Sequence, residues 1–236
     1  MADETAVTSR PSWRDAIGAR LRERGPWLAV ELLLGPLLIG LRLAGVIRNP
    51  SLLILFVGQM SLWLRRSGWR AVGLRAPTSW RRTILLAVGL GIAYDLVDIF
   101  VFLPALKWLT GQSLQLDQVE QIAGNPAILL YFLTLTWTVA AFGEELACRG
   151  YLLNRFADGL GGSRAAFLAA AVIVSVLFGF AHKAQGVAGM LDNILAGALF
   201  ASLYLATGRN LWLPILVHGV VDTFSFALLY LCFRLP

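Results

Sequence analysis

The sequence predicts an all-α, polytopic transmembrane helical bundle of seven to eight spans, seven being the reading adopted, with its N-terminus on the cytoplasmic side. Three observations carry this. The 236 residues are 58% hydrophobic and only 14% charged, with mean hydropathy +0.70, whereas an ordinary soluble domain carries about 25% charge. A water-soluble core of this length needs a polar shell that these residues cannot supply, while a bilayer accepts an apolar exterior provided backbone groups bond internally. The basic residues, finally, cluster on alternate loops. The net charge of +6 is therefore read as a topology signal, and no nucleic-acid partner is expected.

The first 26 residues mix Arg10, Arg14, Arg20, Arg22 and Arg24 with Trp13, Ile17 and Leu21. The three apolar positions recur at i, i+4 and i+8, which predicts a basic amphipathic helix on the cytoplasmic membrane surface, a segment (1–26) distinct from the spans that follow. No small-residue cleavage pattern ends the next apolar run, so a signal peptide is not expected. A span needs about 20 mostly apolar residues. Residues 27–47, 51–64, 83–106, 127–148, 165–182, 187–206 and 211–233 meet or approach that length, the second being short enough to be half-inserted. Asn49-Pro50, Asn125-Pro126 and Gly161-Gly162 punctuate the turns.

With the N-terminus inside, fifteen of the twenty Lys and Arg residues fall on one side. Arg65 to Arg82, Arg149, Arg155, Arg164 and Arg209 join the N-terminal arginines there. The 107–126 loop, with Asp117 and Glu120, fits the opposite side. The bilayer is thus the first partner, and the cell membrane (plasma or inner) the expected location. Cys148 and Cys232 form no CxxC pair and give no disulfide framework.

Seven of the fourteen carboxylates lie in predicted spans: Glu31, Asp95, Asp98, Glu144, Glu145, Asp192 and Asp222. Each costs a few kcal/mol on insertion, so each should face protein or a water-filled cavity. Glu145 and Arg149 stand at i, i+4 and predict an ion pair, with Glu144 turned about 100° away and left available. His218 and Asp222 are again at i, i+4, so the carboxylate can hold the imidazole's tautomer. His182 ends its span ahead of Gly186 and Gly189. Glu31 is expected to reach the inner interface on the same face as Arg42, and Asp95 and Asp98 to pair structurally. Asp192 with Asn193 reads equally as cavity lining or packing.

Three pieces match one family. Glu144-Glu145-Leu146-Ala147-Cys148-Arg149 fits EExxxR, Phe178 to His182 fits FxxxH, and His218 to Asp222 fits Hxxx[ND]. Gly197-Ala198-Leu199-Phe200, Tyr204, Thr207-Gly208, Leu211-Trp212 and Pro214 resemble the family's approach to its last motif. The chain resembles the CPBP family of membrane proteases, relatives of the CAAX prenyl endopeptidase Rce1, also called Abi proteins. The resemblance is clear over 140–226 and looser from Gly73-Leu74 onward, within a helical transmembrane domain of 27–236. It implies a metal-independent, cofactor-free, glutamate-dependent endopeptidase. Glu144 and His182 would activate water, Glu145 with Arg149 would hold the site, and His218 would assist the oxyanion while Asp222 orients it. The implied partner is a membrane-proximal peptide or protein; the eukaryotic relatives act on prenylated tails. A non-catalytic scaffold or immunity-type protein of the same fold competes with this reading. So does a proton-coupled transporter using Asp95, Asp98, Glu144 and Asp192, although no repeat is visible. Glu144, His182, His218 and Asp222 could also ligate zinc, without an HExxH motif to support it.

One geometric difficulty follows. Counted at 1.5 Å per residue, His182 lies roughly 27 Å beyond Arg164, and Glu144 only about 17 Å from Arg155. The histidine would then sit deeper than the acid it should meet.

Overall fold

A computed structural model describes residues 12–22, 26–117 and 119–231. The described residues contain eight helices and no strand: α1 (Trp13–Arg22), α2 (Pro26–Leu43), α3 (Pro50–Leu64), α4 (Trp80–Thr110), α5 (Pro126–Gly159), α6 (Arg164–Ala181), α7 (Gly186–Ala206) and α8 (Trp212–Tyr230). The expected turn residues start several of them. Asn49 and Asn125 accept hydrogen bonds from the first backbone N–H groups of α3 and α5, each with proline next. Ser79 and Ser163 cap α4 and α6 in the same way. These side chains satisfy donors that a helix start otherwise leaves open, which matters most where water is scarce.

Helices α4 to α8 include five stretches long and apolar enough to cross a membrane; α3 is apolar but shorter. Val30, Phe56, Leu85, Phe100, Leu130 and Val172 are each more than half exposed. An apolar exterior of that kind suits hydrocarbon rather than water. The N-terminal arginines Arg10 and Arg24 and the C-terminal Cys232 lie outside the described residues. On α1, Trp13 is largely exposed, while the Arg14 guanidinium lies 4.2 Å from the Trp63 ring centroid and donates to the Trp63 carbonyl at 2.5 Å.

The basic loops gather at one end of the bundle. Arg75 donates to the Gly208 carbonyl, Asn210 to the Arg75 carbonyl, and the Leu211 N–H to the Gly73 carbonyl. Gly73 has φ +113°, and a Cβ there would strike the Arg209 backbone, so only glycine fits. At the other end the Gln115 N–H donates to the Gln185 carbonyl, Gly124 N–H to the Tyr230 carbonyl, and Lys183 to the Leu43 carbonyl.

Two expectations need correction. α5 does not end at 148 but continues to Gly159, because Arg149, counted above as a loop charge, is fully buried and paired. Glu144 therefore lies mid-helix, which brings it nearer the depth of His182. Glu31 does not reach for the interface: it is 6% exposed, pairs with Arg65 at 2.5 Å and accepts from Ser61, joining α2 to α3.

Candidate active site

The first motif sits where α5 departs from α geometry. Residues Thr136–Glu144 and Leu146–Leu152 are wound as π-helix, a form that is rare and concentrates at functional sites. Wide turns leave carbonyls without ideal partners, and Asn154 supplies one: its Nδ2 donates to the carbonyls of Arg149 and Gly150 and to the Tyr204 hydroxyl. Tyr204 in turn donates to the Val72 carbonyl at 2.8 Å. The segment carrying the paired glutamates is thus anchored to α7 and to the 65–79 loop.

Glu145 and Arg149 form the predicted ion pair, at 2.9 Å with both side chains fully buried. Arg149 also donates to the Gly197 carbonyl at 3.0 Å, and its guanidinium lies 4.6 Å and 5.3 Å from the ring centroids of Phe178 and Phe200. Gly197 allows this: a Cβ there would press on the Ser175 backbone at 3.1 Å, so α6 and α7 approach through it. Two aromatic faces and a carbonyl replace the water that the guanidinium has lost.

His218 corrects the sequence expectation. Its Nδ1 lies 3.0 Å from Glu145 Oε1, whereas its Nε2 is 3.8 Å from Asp222 Oδ2, an electrostatic contact beyond hydrogen-bond length. Glu145, already accepting from Arg149, accepts from Nδ1–H as well, so Glu145, not Asp222, fixes the ring. Asp222 instead accepts from Thr136 Oγ1 at 3.3 Å. Phe200 stacks on the imidazole at 4.6 Å, with planes 15° apart. The i, i+4 argument treated the two residues in isolation, and the cross-helix partner was better placed.

His182 follows the last turn of α6. Its Nδ1 stands 2.8 Å from the Phe178 carbonyl; a carbonyl only accepts, so Nδ1 carries the hydrogen and Nε2 is the free nitrogen of the neutral ring. The Phe178 ring lies between the motifs, 4.7 Å from His182 and 6.2 Å from His218. Glu144 keeps a buried oxygen, Oε2, with no hydrogen-bond partner.

Glu144, His182, His218 and Asp222 line one cavity of about 220 Å³. Its loop-derived lining, including Leu114, Leu116 and Gln185, comes from the end opposite the basic loops. Glu144 and His182 also line a second cavity, with Cys148, Arg42 and Arg48. Glu145 and Arg149 lie behind the first cavity as supports. Sequence reasoning missed Thr136, Phe200 and the Gly197 carbonyl as parts of the site. Only the Gly197-to-Phe200 stretch carried a signal, through the family resemblance. Among the described residues no group of three or more His, Cys, Asp or Glu side chains is placed to hold a metal ion.

Fold and site together define a membrane-embedded helical protein with a buried glutamate–histidine cluster facing a cavity. Residues 126–224 match the family model described as Rce1-like, type II CAAX prenyl endopeptidase Rce1-like. That segment, which holds all three motifs, is similar to this family, whose members are generally peptidases. No match was found among curated proteins or among solved structures.

Proposed function

We propose that the protein is an intramembrane endopeptidase that hydrolyses a peptide bond of a membrane-proximal substrate with a water activated by Glu144 and His182. The observation that carries this reading is the free valence of those two groups on a shared cavity. Glu144 has an unpartnered buried oxygen, and His182 has committed Nδ1 to a carbonyl and left Nε2 open. A water donating to both acceptors has its lone pair free for the scissile carbonyl carbon. As the carbon–oxygen bond forms, the water's proton passes to Glu144. His218, with Nδ1–H given to Glu145, donates through Nε2 as the imidazolium to the developing oxyanion; Glu145 and Asp222 flank that charge. Collapse then breaks the carbon–nitrogen bond, and Glu144 returns the proton to the leaving amine.

In this scheme Glu145 and Arg149 position His218 and never touch substrate. The basic end, with α1 beside it, is assigned to the cytoplasmic face of the cell membrane by the positive-inside bias. Segment 1–26 is taken as a surface anchor on the peptidase domain that follows. Purified protein should cleave a peptide carrying an apolar membrane-proximal stretch, and continue after chelator washing. Glu144→Gln and His182→Ala should each abolish cleavage while thermal unfolding in detergent stays unchanged. Persistent cleavage in both variants would overturn the proposal.

A further inference from the structure

The cavity holds more acid than the proposed chemistry needs. Its lining includes the carboxyl groups of Asp95, Asp98, Glu144, Asp192 and Asp222, and no Lys or Arg. Asp98 and Asp192 lie within hydrogen-bonding reach of each other. Asp95 accepts from Ser225 at 2.8 Å through Oδ1. Its Oδ2, like Asp98 Oδ1 and Asp192 Oδ1, has no hydrogen-bond partner. Asp95 is 2% exposed and Asp98 8%. The nearby amide of Asn193 donates to Gln185 and to the Gly189 carbonyl instead.

The rest of the molecule provides the contrast. Glu31 and Glu145, which are buried within helices outside the cavity lining, each have an arginine, at 2.5 Å and 2.9 Å. An acid at membrane depth that lacks such a partner costs several kcal/mol, and here three share one wall. Beyond Glu144 and His182 the second cavity is lined by Arg42 and Arg48, so the two sides of the site differ in sign. The acids are not spaced as ligands of a bare metal ion. A larger cation, bearing several N–H donors, matches three open carboxyl oxygens better.

We propose that the recess formed by Asp95, Asp98 and Asp192 binds an ammonium or guanidinium group of the substrate, a lysine or arginine side chain near the scissile bond. The word substrate rests on the peptidase reading; the binding itself does not. The recess fixes the register of the peptide on Glu144, and apolar segments without a correctly placed cation bind poorly.

The test separates binding from cleavage. In detergent, the Glu144→Gln protein is titrated with fluorescent apolar twelve-residue peptides in which one lysine is moved along the sequence, each compared with glutamine at the same position. At a matching register lysine should improve affinity by about 10-fold or more, as expected for a charge-assisted hydrogen bond. Adding Asp98→Asn with Asp192→Asn should erase that ratio while leaving the glutamine peptide within about twofold, which also reports an intact fold. Absence of any lysine-preferring register, or a preference that survives the two asparagines, overturns the proposal. Cleavage by wild-type protein without a lysine preference sinks the recess and spares the peptidase; lysine-selective binding without cleavage does the reverse.

Discussion

The two walls of the cavity are built on opposite electrostatic plans. Behind His218 the charges are matched: Arg149 meets Glu145, two aromatic rings and the Gly197 carbonyl, and Glu145 holds the imidazole. Across the cavity, Asp95, Asp98 and Asp192 face one another with open oxygens and no basic residue. The matched wall sets geometry, since a buried pair is costly to break and specific in direction. The open wall leaves oxygens that nothing in the chain satisfies, which is why the cation is proposed to bind there. Glu144 stands between them, adjacent in sequence to the most tightly held acid and itself left free.

Substitutions can break this contrast in graded ways. The largest expected effect is on turnover. Glu144→Gln should lower cleavage by about 10²- to 10⁴-fold, the usual weight of a general base, with the unfolding midpoint unchanged; equal loss of stability would mean that Glu144 belongs to the matched wall. Arg149→Met leaves Glu145 buried without its cation and should cost about 3–5 kcal/mol, read by denaturant titration in detergent. Adding Glu145→Gln to that variant should recover part of the loss, and a double variant worse than the single would contradict charge matching. Tyr204→Phe removes one donor and one acceptor from the Val72–Asn154 anchor and should cost about 1–3 kcal/mol. Smallest of all, Asp98→Asn should change stability by no more than about 0.5 kcal/mol, or raise it, because the amide can donate to Asp192. A loss comparable to that of Arg149→Met would show that the open wall is structural.

Much of this was legible in the sequence, at the level of pairs along one helix. The Glu145–Arg149 contact follows from spacing alone, and the helices other than α5 lie close to where apolar run length placed them. Asn49-Pro50 and Asn125-Pro126 mark helix starts as their chemistry requires. What escaped was whatever depends on a neighbouring helix. His218 has Asp222 within its own turn structure, but Glu145 reaches it from α5. Glu31 finds Arg65 across thirty-four residues of sequence. Arg149 was mistaken for a boundary charge because burial of a guanidinium depends on Phe178, Phe200 and Gly197, all distant in the chain. The π winding of α5 was equally hidden, since a 100° step per residue was assumed throughout.

That winding makes the turn width of one segment as critical as its composition. A wide turn contains one residue more than an ordinary turn. Deleting a single residue from 137–141 would let the backbone tighten to the commoner form with little change downstream, whereas tightening it with every residue kept would rotate everything downstream by about 100°. Glu145 would swing off His218, and Arg149 off the Gly197 carbonyl, without any side chain in the site having been altered. For this helix the winding of 136–144 is what sets the direction in which the site residues point.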